Sequence, residues 1–193
     1  MSAFFAILAR MKHITRWGLM RNTQRENLVE HSYETAVIAH ALAVIKNTRF
    51  GGQIDPHQAA TAALFHDASE ILTGDMPTPV KYYNPALKTQ YKQLEKVANE
   101  KLLALLPADL KPEYESLFAL CEPGFDLYPL IKAADKISAL IKCLQEQNMG
   151  NREFDSAEKS LRAAVTDMHL PEADVFLAEF LPAFLLNLDE LQS

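Results

Sequence analysis

Asp55-Pro56-His57-Gln58-Ala59-Ala60-Thr61-Ala62-Ala63-Leu64-Phe65-His66-Asp67-Ala68-Ser69-Glu70 is the stretch from which the rest of this chain is read. Asp55 supplies a capping acceptor, and proline at the next position has no amide to lose and a φ already set for a helix. The segment therefore predicts a helix over 56–72. Glu70 falls one turn beyond His66, and residues three or four apart share a helix face. His66, Asp67 and Glu70 are thus expected to converge on one small volume. Thr73-Gly74-Asp75-Met76-Pro77-Thr78-Pro79 follows, too rich in breakers to be helical, and predicts a polar loop over that volume.

Outward from this segment, apolar residues recur with helical period and β-branched alternation is nearly absent, while the six glycines and ten prolines cluster at breaks. The class is all-α, with helices expected over 3–13, 30–46, 56–72, 86–105, 112–121, 126–148, 152–168 and 172–190. Residues 36–45 are apolar on every side and predict a helix buried in the core. In the 126–148 helix, Leu127, Leu130, Ile131, Ala134, Ile141 and Leu144 form the expected buried stripe, with Asp135 on its shoulder. A chain of 193 residues, 49% hydrophobic, can bury one sizeable core. Without low-complexity stretches, long linkers or repeats, residues 1–193 read as one domain.

The remaining composition narrows the function classes. Cys121 and Cys143 are too few for a disulfide scaffold or a thiolate cluster and read as small buried hydrophobes, with the cytoplasm as expected location. Phe4–Ala9 is apolar but short and runs into Arg10 and Lys12. It reads as an amphipathic first helix, and no membrane association is expected. A formal net charge of −6 disfavours a nucleic-acid polymer as partner. A small anion remains compatible, because a metal and one or two arginines reverse the field inside a pocket.

His31 and Asp135 join His66-Asp67 as candidate ligands. Imidazoles and ionised carboxylates suit a divalent first-row metal, and two of each leave coordination positions for water and substrate. Asp135, half-buried on its helix, needs a partner: the metal, or a neighbouring Arg or Lys. His40 and His57 each lie nine residues from a candidate ligand, half a turn out of phase, and His13 and His169 fall near helix ends. One metal is expected, of a kind (Co, Mn, Zn, Cu, Ni or Fe) that spacing does not select.

The order His31, His66-Asp67, Asp135 resembles the H…HD…D signature of the HD-domain metal-dependent phosphohydrolases. Arg16-Trp17, Val29-Glu30-His31-Ser32, Phe65-His66-Asp67-Ala68-Ser69-Glu70, Thr73-Gly74-Asp75, Pro77-Thr78-Pro79-Val80-Lys81-Tyr82 and Lys132-Ala133-Ala134-Asp135 extend the resemblance to the bacterial 5'-deoxynucleotidases, from about residue 4 to the C-terminus. The resemblance implies a single HD-domain helical bundle and a homodimer. It also implies hydrolysis of deoxyribonucleoside 5'-monophosphates through a metal-bound water, with deoxyribose preferred over ribose.

Beside it, each residue keeps its own reading. Arg16 offers a planar fork for phosphate oxygens or is a solvated loop arginine. Trp17 walls the sugar or base, or packs in the core. Asp75, with Met76, Pro77 and Thr78, lines the nucleoside side, or forms a turn closing the preceding helix. Glu70 handles the proton of the attacking water, with Asp75 as competitor, or holds a ligand or a turn. Glu30 reads as a helix-end residue. The alternatives for the whole chain are an HD phosphodiesterase, a nucleoside-triphosphate hydrolase, or a noncatalytic metal-stabilised helical module.

Overall fold

A computed structural model describes residues 1–77, 80 and 83–192 of the chain. Its helices are α1 (Phe4–Leu8, continued by a 3-10 turn, Ala9–His13), α2 (Leu28–Phe50), α3 (Pro56–Leu64), α4 (Glu70–Thr73) and α5 (Pro85–Leu103). They are followed by α6 (Lys111–Ala119), α7 (Tyr128–Asn148), α8 (Asp155–Thr166, after a 3-10 turn, Arg152–Phe154), α9 (Pro171–Glu179), a 3-10 turn (Leu181–Leu185) and α10 (Leu188–Leu191). Among the described residues the extended pairing is limited to an isolated antiparallel bridge between Thr15 and Asn27.

The caps explain where the central helices begin. Asn27 Oδ1 accepts from the amides of Val29 and Glu30, and Glu30 Oε2 accepts from the amide of Asn27 at 2.8 Å. This reciprocal box starts α2 two residues before the expected position and gives Glu30 its helix-end task. Gly51, at φ 68°, ends the helix in the left-handed region that glycine tolerates. Asp55 and Pro56 open α3 as expected, Asp55 accepting from the amides of His57 and Gln58. The 172–190 helix is broken instead. Pro182 has no amide to donate and obstructs the preceding turn, so α9 stops at Glu179 and a 3-10 turn follows.

The main core packs α2, α3 and α7 against one another and α9 against α2, and all six residues of the expected α7 stripe are buried. The 36–45 segment is not apolar-buried on every side. Val37 and Val44 are exposed, and with Tyr33 they form an outward stripe on α2. A second cluster of Phe4, Ala68, Leu102, Leu103, Leu106 and Phe118 lies among α1, α5 and α6. The chain between α3 and α4 joins the two cores: Ala59, Ala62 and Ala63 belong to the first, Ala68 to the second. His66-Asp67 is therefore held at a seam with packed apolar residues on both sides.

Candidate metal centre and active site

The straight 56–72 helix does not form, and the break creates the site. The amides of Phe65 and His66 bond three residues back, to Ala62 O at 2.9 Å and Ala63 O at 3.4 Å. His66 Nδ1 takes the Ala63 carbonyl at 2.7 Å, the acceptor a regular helix would give to the amide of Asp67. The α-helical ladder is lost there, and bonds from Ala68 N to Phe65 O and from Glu70 N to Asp67 O, both 3.0 Å, carry the chain into α4. Neighbours on a regular helix point about 100° apart. In this tighter path His66 Nε2 and Asp67 Oδ2 stand 3.0 Å apart.

His31, from the first turn of α2, and Asp135, from α7, complete a cluster whose four ligand atoms all lie within 4.8 Å of one another. His31 Nε2 is 3.2 Å from Asp135 Oδ1 and 3.6 Å from Asp67 Oδ2, and His66 Nε2 is 3.9 Å from Asp135 Oδ1. Glu70 opens α4 buried, 6% exposed, and is not one of the four. His40 and His57 face each other elsewhere, with ring centroids 5.6 Å apart. Among the described residues this is the one group of three or more potential ligands.

The tautomers show what the cluster fits. A carbonyl only accepts, so His66 Nδ1 donates to Ala63 O. The Ser138 hydroxyl donates to Glu34 Oε2 at 3.2 Å, and its oxygen accepts from His31 Nδ1 at 3.1 Å. In the neutral, ligating form both imidazoles therefore carry their proton on Nδ1 and turn an Nε2 lone pair toward carboxylate oxygens. Neither Nε2 makes a hydrogen bond, although both are buried. Lone pairs facing lone pairs at 3.0–3.6 Å call for a cation between them, and two imidazoles with two carboxylates are a donor set for a divalent transition metal.

Electrostatics agree with a site built around positive charge. Burial pulls the His31 imidazole below its ordinary pKa and Arg16 adds to that, which keeps the ring in its neutral, ligating form. Burial works the same way on His66, but the Asp67 and Asp135 carboxylates outweigh it and raise that ring. Against the upward pull of burial, His66 holds the Asp67 carboxyl below the usual range, and Lys132 and the histidines hold Asp135 well below it. Lys132 Nζ donates to Asp135 Oδ2 at 3.1 Å. Asp135 thus has the lysine partner considered for it on one oxygen, while the other oxygen faces the two histidines.

The loop before α2 forms the rim. Arg16 is buried, with Nε donating to Glu26 Oε2 at 3.0 Å and NH1 3.7 Å from Asp67 Oδ2. It is not a solvated loop arginine. Trp17 sits at φ 58°, uncommon for a residue with a Cβ, and its ring rests 5.3 Å from that of Phe154. Its backbone amide donates to Asp75 Oδ2 at 3.3 Å, and its Nε1 to Glu26 Oε2 at 2.9 Å. Asp75 follows Gly74, at φ 75°, and is drawn to the rim by that bond. Burial raises the Asp75 carboxyl against the opposing pull of Arg16. Met76 and Pro77 are half-buried in the same loop, and Thr78 and Lys81 lie outside the described residues.

Three residues of this arrangement belong to no motif read from the sequence. Ser138 and Glu34 each had a signal: a hydroxyl one turn from Asp135 on a buried face, and a carboxylate one turn from His31. Glu26 had none, because its partners come from a bridge between loop segments that periodicity does not register.

Residues 3–184 match the model of a family described as 5'-deoxynucleotidase YfbR-like. The chain belongs to that family. It is 46% identical over 191 residues to a 5'-deoxynucleotidase of Photorhabdus laumondii, covering 99% of this chain and 97% of that one. With a 5'-deoxynucleotidase of Shewanella oneidensis the identity is 47%, covering 99% and 98%. Among solved structures, an HD-domain phosphohydrolase from Listeria innocua superposes with a TM-score of 0.83 at 24% identity, over 98% of this chain and 90% of that one. The HD phosphohydrolase of cyanophage S-2L, bound to dA and one catalytic Zn2+ ion, does so with a TM-score of 0.65 at 23% identity, over 93% and 95%. These structures establish the HD-type all-α fold. No helix among the described residues is long and apolar enough to cross a membrane.

Proposed function

We propose that this chain is a metal-dependent 5'-deoxynucleotidase, hydrolysing deoxyribonucleoside 5'-monophosphates to deoxyribonucleoside and phosphate. The observation that carries the reading is the pair of buried Nε2 lone pairs held against Asp67 and Asp135 with no hydrogen-bond partner, in a chain belonging to this family. His31, His66, Asp67 and Asp135 hold one divalent transition metal per chain. When bound, such an ion supplies Lewis acidity and lowers the pKa of a water.

The protein's own groups do the rest. Arg16, its Nε committed to Glu26, presents its terminal nitrogens to phosphoryl oxygens and stabilises charge that develops on the transferring group. Glu70, buried where α4 begins, takes the proton of the attacking water. Asp75, whose carboxyl burial holds above the ordinary range, is the group suited to return a proton to the leaving 5'-oxygen. Trp17 walls the sugar at C2', so a ribose hydroxyl meets an apolar ring and loses hydration without gaining a partner. Met76, Pro77 and Thr78 line the nucleoside side. The protein works in the cytoplasm as a homodimer of single HD domains spanning residues 1–193.

Phosphate release from mono-, di-, tri- and cyclic nucleotides, each in deoxy and ribo form and with or without added metal, tests the reading. Metal-dependent release confined largely to deoxynucleoside monophosphates is expected. Preferential cleavage of cyclic or triphosphate substrates would replace it with a phosphodiesterase or triphosphate hydrolase, and no release from any substrate with a metal-stabilised chain would leave a noncatalytic module.

A further inference from the structure

Glu26 is 8% exposed and lies on the extended segment that the Thr15–Asn27 bridge ties to the Arg16-Trp17 loop. The amide of Arg16 donates to its carbonyl at 3.0 Å, so the two segments are in register beside each other. A single carboxylate oxygen, Oε2, then accepts from two side chains: Arg16 Nε at 3.0 Å and Trp17 Nε1 at 2.9 Å. For the guanidinium this fixes the edge turned away from the site and leaves NH1 directed toward Asp67. For the indole it fixes the polar edge, while Phe154 supports the ring and Asp75 holds the backbone.

We propose that Glu26 is a positioning and specificity-determining residue, whose one oxygen couples phosphoryl recognition by Arg16 to sugar discrimination by Trp17. The proposal rests on the tasks given above to those two residues. Hydrogen bonds to an ionised acceptor are short and strong, and a bond shared by two donors transmits a displacement of either to the other. Removing the carboxylate leaves Arg16 short of its nearest counter-charge and frees the indole to swing on its loop. A misplacement of about 1 Å in a positioned group costs on the order of 10²-fold in rate.

Trp17 is the only tryptophan of the chain, so indole emission reports its environment without interference. Glu26→Ala is expected to shift that emission to longer wavelength, increase quenching by acrylamide, lower kcat for dAMP by about 10²-fold and narrow the dAMP:AMP ratio of kcat/KM. Bound metal and far-UV circular dichroism stay as in the parent. Glu26→Gln keeps an oxygen acceptor and is expected to restore the emission and most of the ratio, whereas Glu26→Met, which fills similar space without an acceptor, should restore neither. In the Trp17→Ala background, Glu26→Ala should not narrow the ratio further. Unchanged emission and ratio in Glu26→Ala overturn the proposal, as does failure of the Gln variant to recover either. If Glu26→Ala does not fold, the Gln and Met variants decide: parent-like emission and ratio in Gln with loss of both in Met support the proposal, and a Met variant that keeps both overturns it. If Trp17→Ala itself leaves the ratio unchanged, the sugar reading fails. Emission and the non-additivity of Glu26→Ala with Arg16→Ala then judge whether Glu26 positions its neighbours.

Discussion

Helix α7 carries two groups of buried charge about two turns apart, and they differ in how completely they are satisfied. At Lys142–Glu146 both carboxylate oxygens and the ammonium are paired. Glu146, wholly buried, accepts from Lys142 Nζ and the amide of Gln24 on one oxygen, and from the amide of Thr23 and Asn151 Nδ2 on the other. Lys142 also donates to the Gln24 carbonyl. At Asp135 the network stops short: Lys132 takes one oxygen, while the other faces histidines whose Nε2 atoms make no hydrogen bond. A closed network uses its charge to fasten chain to chain, here the 23–24 segment to α7. An open one keeps donors for something that is not protein. The closed cluster also anchors the segment leading to Glu26, and through it the loop that brings Arg16 to the open cluster.

The contrast implies that substitutions at the two clusters fail in different ways. The largest effect is expected at the open one: His66→Ala or Asp135→Ala should lose bound metal and turnover together while the chain stays folded, since removing one of four ligands both weakens affinity and opens the geometry. Metal analysis beside phosphate release decides it, and stoichiometric metal with near-normal turnover would refute the assignment. Glu70→Ala should keep metal and dAMP binding while turnover falls by about 10²–10⁴, the range for loss of an acid–base group. Loss of metal with activity would make Glu70 structural and pass its proton to Asp75.

At the closed cluster the readout is stability. Glu146→Ala strands Lys142 in the interior and should cost about 3–5 kcal/mol in denaturant unfolding. Burial alone would raise the Glu146 carboxyl, but the Lys142, Thr23, Asn151 and Gln24 donors outweigh it and hold it at about 2, against an ordinary 4.5. The stability this carries is complete above about pH 4.5 and is lost as pH falls toward 2. Glu146→Gln should flatten that part of the acid unfolding curve, and an unchanged curve would remove Glu146 from the account. The smallest effect is expected at the rim. Trp17→Ala should narrow the dAMP:AMP ratio of kcat/KM by roughly tenfold, the scale of one steric contact in a pocket, mainly by admitting AMP. Equal losses for both substrates would make Trp17 a general wall.

The same contrast explains what the sequence could disclose. His31, His66, Asp67 and Asp135 are legible as candidate ligands because their order in the chain matches the H…HD…D signature, and the structure brings the four together. The α7 stripe was legible because period and burial coincide. The helix expected over 56–72 breaks for a local reason: His66 takes a backbone carbonyl from the ladder, a competition that helical periodicity ignores. The apolar period of 172–190 continues through Pro182, where the helix has already ended at Glu179. Val37 and Val44 are apolar yet exposed, since hydropathy records what a residue can bury and not whether a neighbour arrives to cover it. Glu26 and Glu146 were invisible because each is defined by partners from loops, and loop contacts carry no period.

The proposed function requires that the open cluster hold one metal on which the reaction depends. Its most direct test is to strip the protein with a chelator and return Mn2+, Co2+ or Zn2+ in measured steps, following phosphate release from dAMP and the metal retained per chain. No turnover is expected in the stripped protein, with full recovery as one ion per chain is retained and none in Asp135→Ala. Turnover that survives stripping, or that rises only with a second retained ion, would contradict it.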